Sequence, residues 1–308
     1  MSGVTVRFIG SGPYCYANSL AMMLGSAAPE PAVIEVLTGS PFGAELLGGV
    51  TPFFSPPGWD PGIGLDTAIG LLGWSCRHGA GGSATEAAAR LGEASESHPL
   101  LAGPLEFGLL LHHPDSGTAI GSDHYVVVTG VEDGIVRFHD PPVIPTRRCR
   151  RTISSPRGGP TRSAMPPSRS PPGLAFNRSA TSTRPPHCAG PCRWRRAGSP
   201  GRRTWQRRPA RSAAAEGLAE LVETGLEPWQ HDHLGYFAIR VGARRLSDAS
   251  ACLAFIGEIK AASIAREQAR LVGAMQYPLV TGDRIALARL LRRLAPTYEQ
   301  LRASLPGG

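Results

Sequence analysis

Acidic residues are missing from one long stretch of this chain. No Asp or Glu occurs between Asp140 and Glu216, and the whole protein has one lysine, Lys260, against 31 arginines. Seventeen of those arginines fall between Pro145 and Ala213; without them the remaining chain carries a net −9 rather than +8. The basic balance is therefore local, and overall charge is no argument for nucleic-acid binding. Long apolar runs are also missing: no stretch of eighteen or more offers a membrane span. The N-terminal MSGVTVRFIGSG lacks the charged-then-apolar layout of a signal peptide. With six scattered cysteines, the expectation is a cytoplasmic, reduced protein. There is no glycine-rich phosphate loop with its lysine and no GxGxxG after a strand, so no nucleotide cofactor is expected.

The Pro145–Ala213 stretch has no helical or alternating apolar pattern able to bury a face, and as written it is expected to be disordered. Three readings stand: a basic arm for an anionic surface, a Pro/Arg linker, or translation out of frame. A shifted frame of GC-rich DNA yields Arg, Pro, Ser, Gly and Ala, and acids and apolar periodicity vanish and return abruptly at its ends. Cys188 and Cys192 with His187 have half of a zinc-site spacing, but no second half follows and no metal is expected there.

These shifts divide the chain into residues 1–143, 144–213 and 214–308. In the first part, Ala17, Leu20, Ala21 and Leu24 recur at helical spacing after the Gly12–Pro13 turn, and Gly25 supplies a stop. Helices are also expected at Pro31–Thr38, Leu65–Leu72 and Ser83–Ala94. Short strands are expected at Trp74–Arg77, Leu100–Ala102 and Phe107–Leu111. His124–Thr129 and Ile135–His139 form a hairpin through Asp133-Gly134. The last part reads as a helix-like AAAEGLAELVETG, a strand-like GYFAIRVG, and long helical patterns over Leu246–Ala274 and Asp283–Ser304. In the final pattern Ile285, Leu287, Leu290, Leu291, Leu294, Tyr298 and Leu301 share a face that suits core packing or a homodimer seam.

Three residues carry the chemical signal. Cys15 stands at the start of its helix, where the helix dipole and a nearby imidazolium stabilise a thiolate. His124 opens the hairpin and Asp140 closes it, so the returning strand can bring the carboxylate beside the imidazole and fix its tautomer. Thiol, base and orienting carboxylate form a set able to carry acyl groups. Taken singly, Cys15 reads as a buried small hydrophobe, His124 as the start of a strand and Asp140 as a strand terminator. His112-His113 with Asp115, and His231-Asp232-His233, are metal-capable types without a recognisable ligand spacing, and they read as solvated loop residues. Trp59 and Phe53-Phe54 suit a cleft lining or a core cap.

At GPYCYANSLAMMLG and HYVVVTGVEDGIVRFHDP the chain resembles the papain-like cysteine peptidase superfamily. Its nearest likeness is to the branch holding the bacteriocin-leader (double-glycine) peptidases and the N-terminal domain of butirosin biosynthesis protein H, an acyltransferase. The resemblance covers about residues 8–143. It implies an α+β fold, a helical half followed by an antiparallel sheet half, with Cys15 as nucleophile, His124 as general base and acid, and Asp140 as orienter. Peptidases of the superfamily place a Gln a few residues before the cysteine; here Phe8, Ile9, Gly10 and Ser11 stand there. The oxyanion hole then falls to the Cys15 N–H with Ser11 or Asn18, which shifts the expectation from proteolysis towards acyl transfer. The resemblance implies an acyl carrier protein or a peptide as partner, an amine or water as acceptor, and no cofactor. A peptidase or amidase on the same residues, and a non-catalytic binding protein of the same fold, are the competing readings.

Overall fold

The structure, a computed structural model, describes residues 14–79, 81–113, 116–141 and 212–305, and the backbone of 144–150, 174–177 and 211. It is a mixed α and β protein with antiparallel sheets and a helical C-terminal region. Two compact units share the chain discontinuously: Tyr14–Ile34 with Asp60–Pro185 form one, and Glu35–Trp59 joins the C-terminal part in the other. The expected boundary at residue 143 is thus corrected, because 35–59 leaves the N-terminal part to pack with helices from the far end of the chain.

The first unit contains α1 (Cys15–Leu24), the start of α2 (Pro31–Leu37), α3 (Pro61–Leu71) and α4 (Ala84–Gly92). Asp60 caps α3 by accepting the Ile63 N–H at 2.9 Å, and Ser83 with Glu86 closes a capping box on α4. The β-strands of this unit are β3 (Arg77–Gly79), β4 (Leu100–Glu106), β5 (Asp123–Glu132), β6 (Ile135–Asp140), β7 (Ile144–Arg150) and β8 (Leu174–Asn177). They form one antiparallel sheet in the order β3-β8-β4-β5-β6-β7. The expected hairpin is β5–β6, turning through Asp133 and Gly134, both at positive φ. Phe107–Leu109 is a 3-10 turn rather than a strand.

β7 and β8 correct the expectation that Pro145–Ala213 is disordered throughout. Backbone pairing to a sheet needs no apolar face, so a stretch without periodicity can still add strands. The rest of that stretch up to Ala210, with Cys188, Cys192 and His187, lies outside the described residues, as does Ser11.

β5 is buried on both faces. Val126 and Val128 pack with Leu100, Ala102, Phe138 and Ala94, while Tyr125 meets Tyr16 of α1 edge-on at 6.0 Å. The Ser19 hydroxyl, also on α1, donates to the Tyr125 carbonyl at 3.3 Å. Gly103 permits this seat: a Cβ there would stand 2.2 Å from the Tyr125 ring.

The second unit holds the end of α2, a hairpin of β1 (Glu45–Leu47) and β2 (Thr51–Phe53), and α5 (Arg211–Thr224), α6 (Pro228–His233), α7 (Ile239–Phe255), α8 (Ile259–Ala274), α9 (Gln276–Thr281) and α10 (Arg284–Ser304). Its core draws Ala44 and Phe54 in among Leu218, Val222, Ile239, Leu271, Leu291 and Tyr298. The α10 stripe is core as read: Leu287, Leu291, Leu294, Tyr298 and Leu301 are buried, and only Ile285 is well exposed. The expected strand at GYFAIRVG is corrected: Leu234–Ala238 is a π-helical turn running into α7. Its β-formers sit on a helix already begun at Pro228, and Gly242 faces Phe54 so closely that a Cβ would meet it at 2.7 Å. Tertiary packing overrides the local preference.

Glu35 ties α2 to α7 within this unit. It is fully buried and takes the Arg245 Nε–H at 2.7 Å and the Ser40 hydroxyl at 2.9 Å. The Arg245 guanidinium lies over the Trp59 ring at 5.1 Å, whose indole N–H donates to the Thr38 carbonyl. Phe54 is a core residue, while half-buried Trp59 packs on Arg245 and half-buried Phe53 meets His233 and Phe237 edge-on. His231 and His233 are on α6 and correct the loop expectation. His231 bonds the Leu279 carbonyl and His233 the Pro52 carbonyl, and burial holds the His233 pKa below its ordinary value.

Candidate functional site

Strand alternation places His124, Val126 and Val128 on one side of β5. The β5–β6 register pairs Val127 with His139 and Val128 with Phe138, so Asp140 lies across from Val126 and diagonally from His124. The side chains meet: His124 Nε2 is 2.8 Å from Asp140 Oδ1, and both residues are buried. A carboxylate only accepts, so Nε2 carries the proton and Nδ1 is the nitrogen left for a reacting group.

Two further imidazoles reach the same carboxylate. His112 Nε2 stands 2.6 Å and His113 Nε2 2.9 Å from Asp140 Oδ2. Their side chains are 7% and 17% exposed, which corrects their reading as solvated loop residues. Adjacent residues of a strand would point apart; in the turn closed by the His113 N–H on the Leu110 carbonyl, both rings face one way. Asp115, once grouped with them, lies outside the described residues. Glu106, at the end of β4, holds the carrying loop at both ends, accepting the N–H groups of Gly108, Ile120 and Gly121. Phe107 lies against His113 and His124, and Phe138 against His112.

The electrostatics follow from this crowding. Burial alone pushes the Asp140 pKa up, but the hydrogen bonds and charges of His124 and His112 outweigh it and hold the carboxyl at about 2. His113 is held below its ordinary value by burial and then by His112, against the pull of Asp140.

Cys15 occupies the first position of α1, in a helix with no acid in its first turn. α1 packs against Tyr125, the neighbour of His124 in β5. Burial raises the Tyr125 pKa, and the negative charges of Asp123 and Cys15 raise it further, which places the tyrosine within electrostatic reach of the thiol. Asn18 donates its side-chain amide to the Tyr14 carbonyl at 2.8 Å, back along its own helix. The structure thus brings His124 and Asp140 into contact and sets Cys15 on the helix packed beside that strand. His112 and His113 could have been singled out only as a paired-histidine signal, since the fold-back that aims them is long-range.

Residues 206–306, which include all of α5–α10, match the family model of the YobF C-terminal domain. Over 141 residues the chain is 33% identical to a Bacillus subtilis (strain 168) protein described as uncharacterized protein YobF. That alignment covers 45% of this chain and 45% of the relative, so the chain spans less than half of the curated protein it matches. No solved structure matches. No single helix among the described residues is long and apolar enough to cross a membrane.

Proposed function

We propose that the first unit is a papain-like catalytic domain that transfers acyl groups through a thioester on Cys15. The observation that carries this reading is the buried His124–Asp140 pair, 2.8 Å apart, in the sheet against which the cysteine-bearing helix packs. With Nε2 committed to Asp140, Nδ1 of His124 takes the thiol proton. The thiolate adds to the acyl carbonyl, and the Cys15 N–H at the helix start, with Asn18 as a second donor, steadies the oxyanion. The tetrahedral species expels its leaving group, which takes the proton from His124. An amine then attacks the acyl-cysteine, gives its proton back to Nδ1, and releases the thiol. The acyl donor is a thioester such as that of a carrier protein.

The test is intact-mass analysis after exposure to a small acyl thioester, together with iodoacetamide labelling near neutral pH. Burial and Asp66 push the Cys76 thiol up to about 11, so roughly one in ten thousand Cys76 thiols is ionised at pH 7. Cys15 is expected to label far ahead of it and to carry the acyl adduct, with both lost in Cys15→Ala and the adduct lost in His124→Ala. If Cys15 reacts no faster than Cys76 or Cys252, the nucleophile assignment fails.

A further inference from the structure

His112, His113 and Asp140 offer three ligand atoms within 4.8 Å of one another, and we propose that they bind a divalent transition-metal ion of the zinc class. Two imidazoles and one carboxylate are a ligand set for such ions with a coordination position left open. The atoms already converge. Asp140 Oδ2 stands 2.6 and 2.9 Å from the two Nε2 atoms, while metal bonds of about 2.0–2.1 Å require ligands to stand about 3.3 Å apart in a tetrahedron. A spreading of about 0.4–0.7 Å brings each imidazole nitrogen to that distance from the carboxylate oxygen.

His112 is held in the cluster through Nε2 alone: its Nδ1 is buried and has no hydrogen-bond partner among the described residues, so the bond to Asp140 is what keeps Nε2 facing the carboxylate.

The surroundings suit an ion. Phe107 and Phe138 wall the rings at 4.3 and 4.9 Å, and Glu106 holds the loop in place before any ligand arrives. His124 keeps its bond to Asp140 Oδ1, so this carboxylate links the ion to a third imidazole, the outer-sphere arrangement that orients carboxylate ligands. The site uses neither Cys15 nor its reactivity and stands whether or not the thioester reading holds.

The experiment uses the full-length protein without a histidine tag, stripped with a chelator and dialysed against micromolar zinc or cobalt(II). About one equivalent is expected to be retained, with cobalt d–d bands and no thiolate charge transfer. Loss of either histidine ligand is expected to weaken retention by more than about a hundredfold, in His112→Gln and in His113→Gln alike, with circular dichroism reporting that each is folded. Cys15→Ser and Cys76→Ser are expected to retain the ion. Retention that survives both histidine substitutions, loss in Cys76→Ser instead (which locates the ion at Asp66, Cys76 and His78, whose ligand atoms also lie within 4.8 Å of one another), or no retention by the parent chain overturns the proposal. If a histidine variant does not fold, a thiolate band in the parent's cobalt spectrum refutes it and its absence with one bound equivalent supports it. Loss of iodoacetamide reactivity at Cys15 with metal binding intact bears on the thioester reading alone.

Discussion

Replacing Asp140 by Asn tests the buried carboxylate directly. The side chain keeps its shape but loses its charge and one of its two acceptor oxygens. A pKa held at about 2 against an ordinary 3.8 corresponds to about 2 kcal/mol of stability at neutral pH. The amide NH2 must also face an imidazole N–H on one side, so the total is about 2–4 kcal/mol. The sign is fixed by linkage: a depressed carboxyl pKa stabilises the fold above pH 3.8, and the contribution is lost as pH falls towards 2. At pH 7.5 the full amount is therefore present. Because only the first unit contains this cluster, amide hydrogen exchange of β5 and β6 is the appropriate assay. Those amides are expected to exchange roughly 30- to 1,000-fold faster in Asp140→Asn where they open by unfolding of the unit. Protection within threefold of the parent refutes the argument that the carboxylate is held ionised by its imidazoles.

Two further substitutions probe the helical unit. Glu35→Ala leaves Arg245 buried beside Trp59 without its nearest carboxylate, and a loss of about 3–5 kcal/mol is expected in urea unfolding; a change under about 1 kcal/mol contradicts the buried pair. Gly242→Ala drives a methyl into Phe54 at 2.7 Å and is expected to cost about 1–3 kcal/mol, read as a lower thermal midpoint; an unchanged midpoint contradicts the close approach.

Elements with a strong local signature were legible in the sequence. The α1 pattern, the Asp133-Gly134 hairpin and the α10 stripe each depend on periodicity or turn chemistry within about twenty residues, and their boundaries agree with the structure to within a few residues. Of the site, the meeting of His124 and Asp140 was readable because a hairpin returns to its start. The part played by His112 and His113 was not, since only the tertiary path of their loop brings them to Asp140. GYFAIRVG misled because aromatic and β-branched residues favour strands locally, while the surrounding helices decide the outcome. Nor does local pattern tell that β1 and β2 belong with helices starting at Arg211, because those contacts span the whole intervening chain.

That separation has a consequence for synthesis. Gln230 donates to the Val50 carbonyl across 180 positions, and Phe54 is covered in part by α7. On a ribosome adding about 5–20 residues per second, residues 35–59 wait roughly 10–40 s for the helices that bury them. During that interval the nascent chain displays Phe54 and Leu46 without the helices that cover them in the finished fold, which exposes this segment to association before the unit can close.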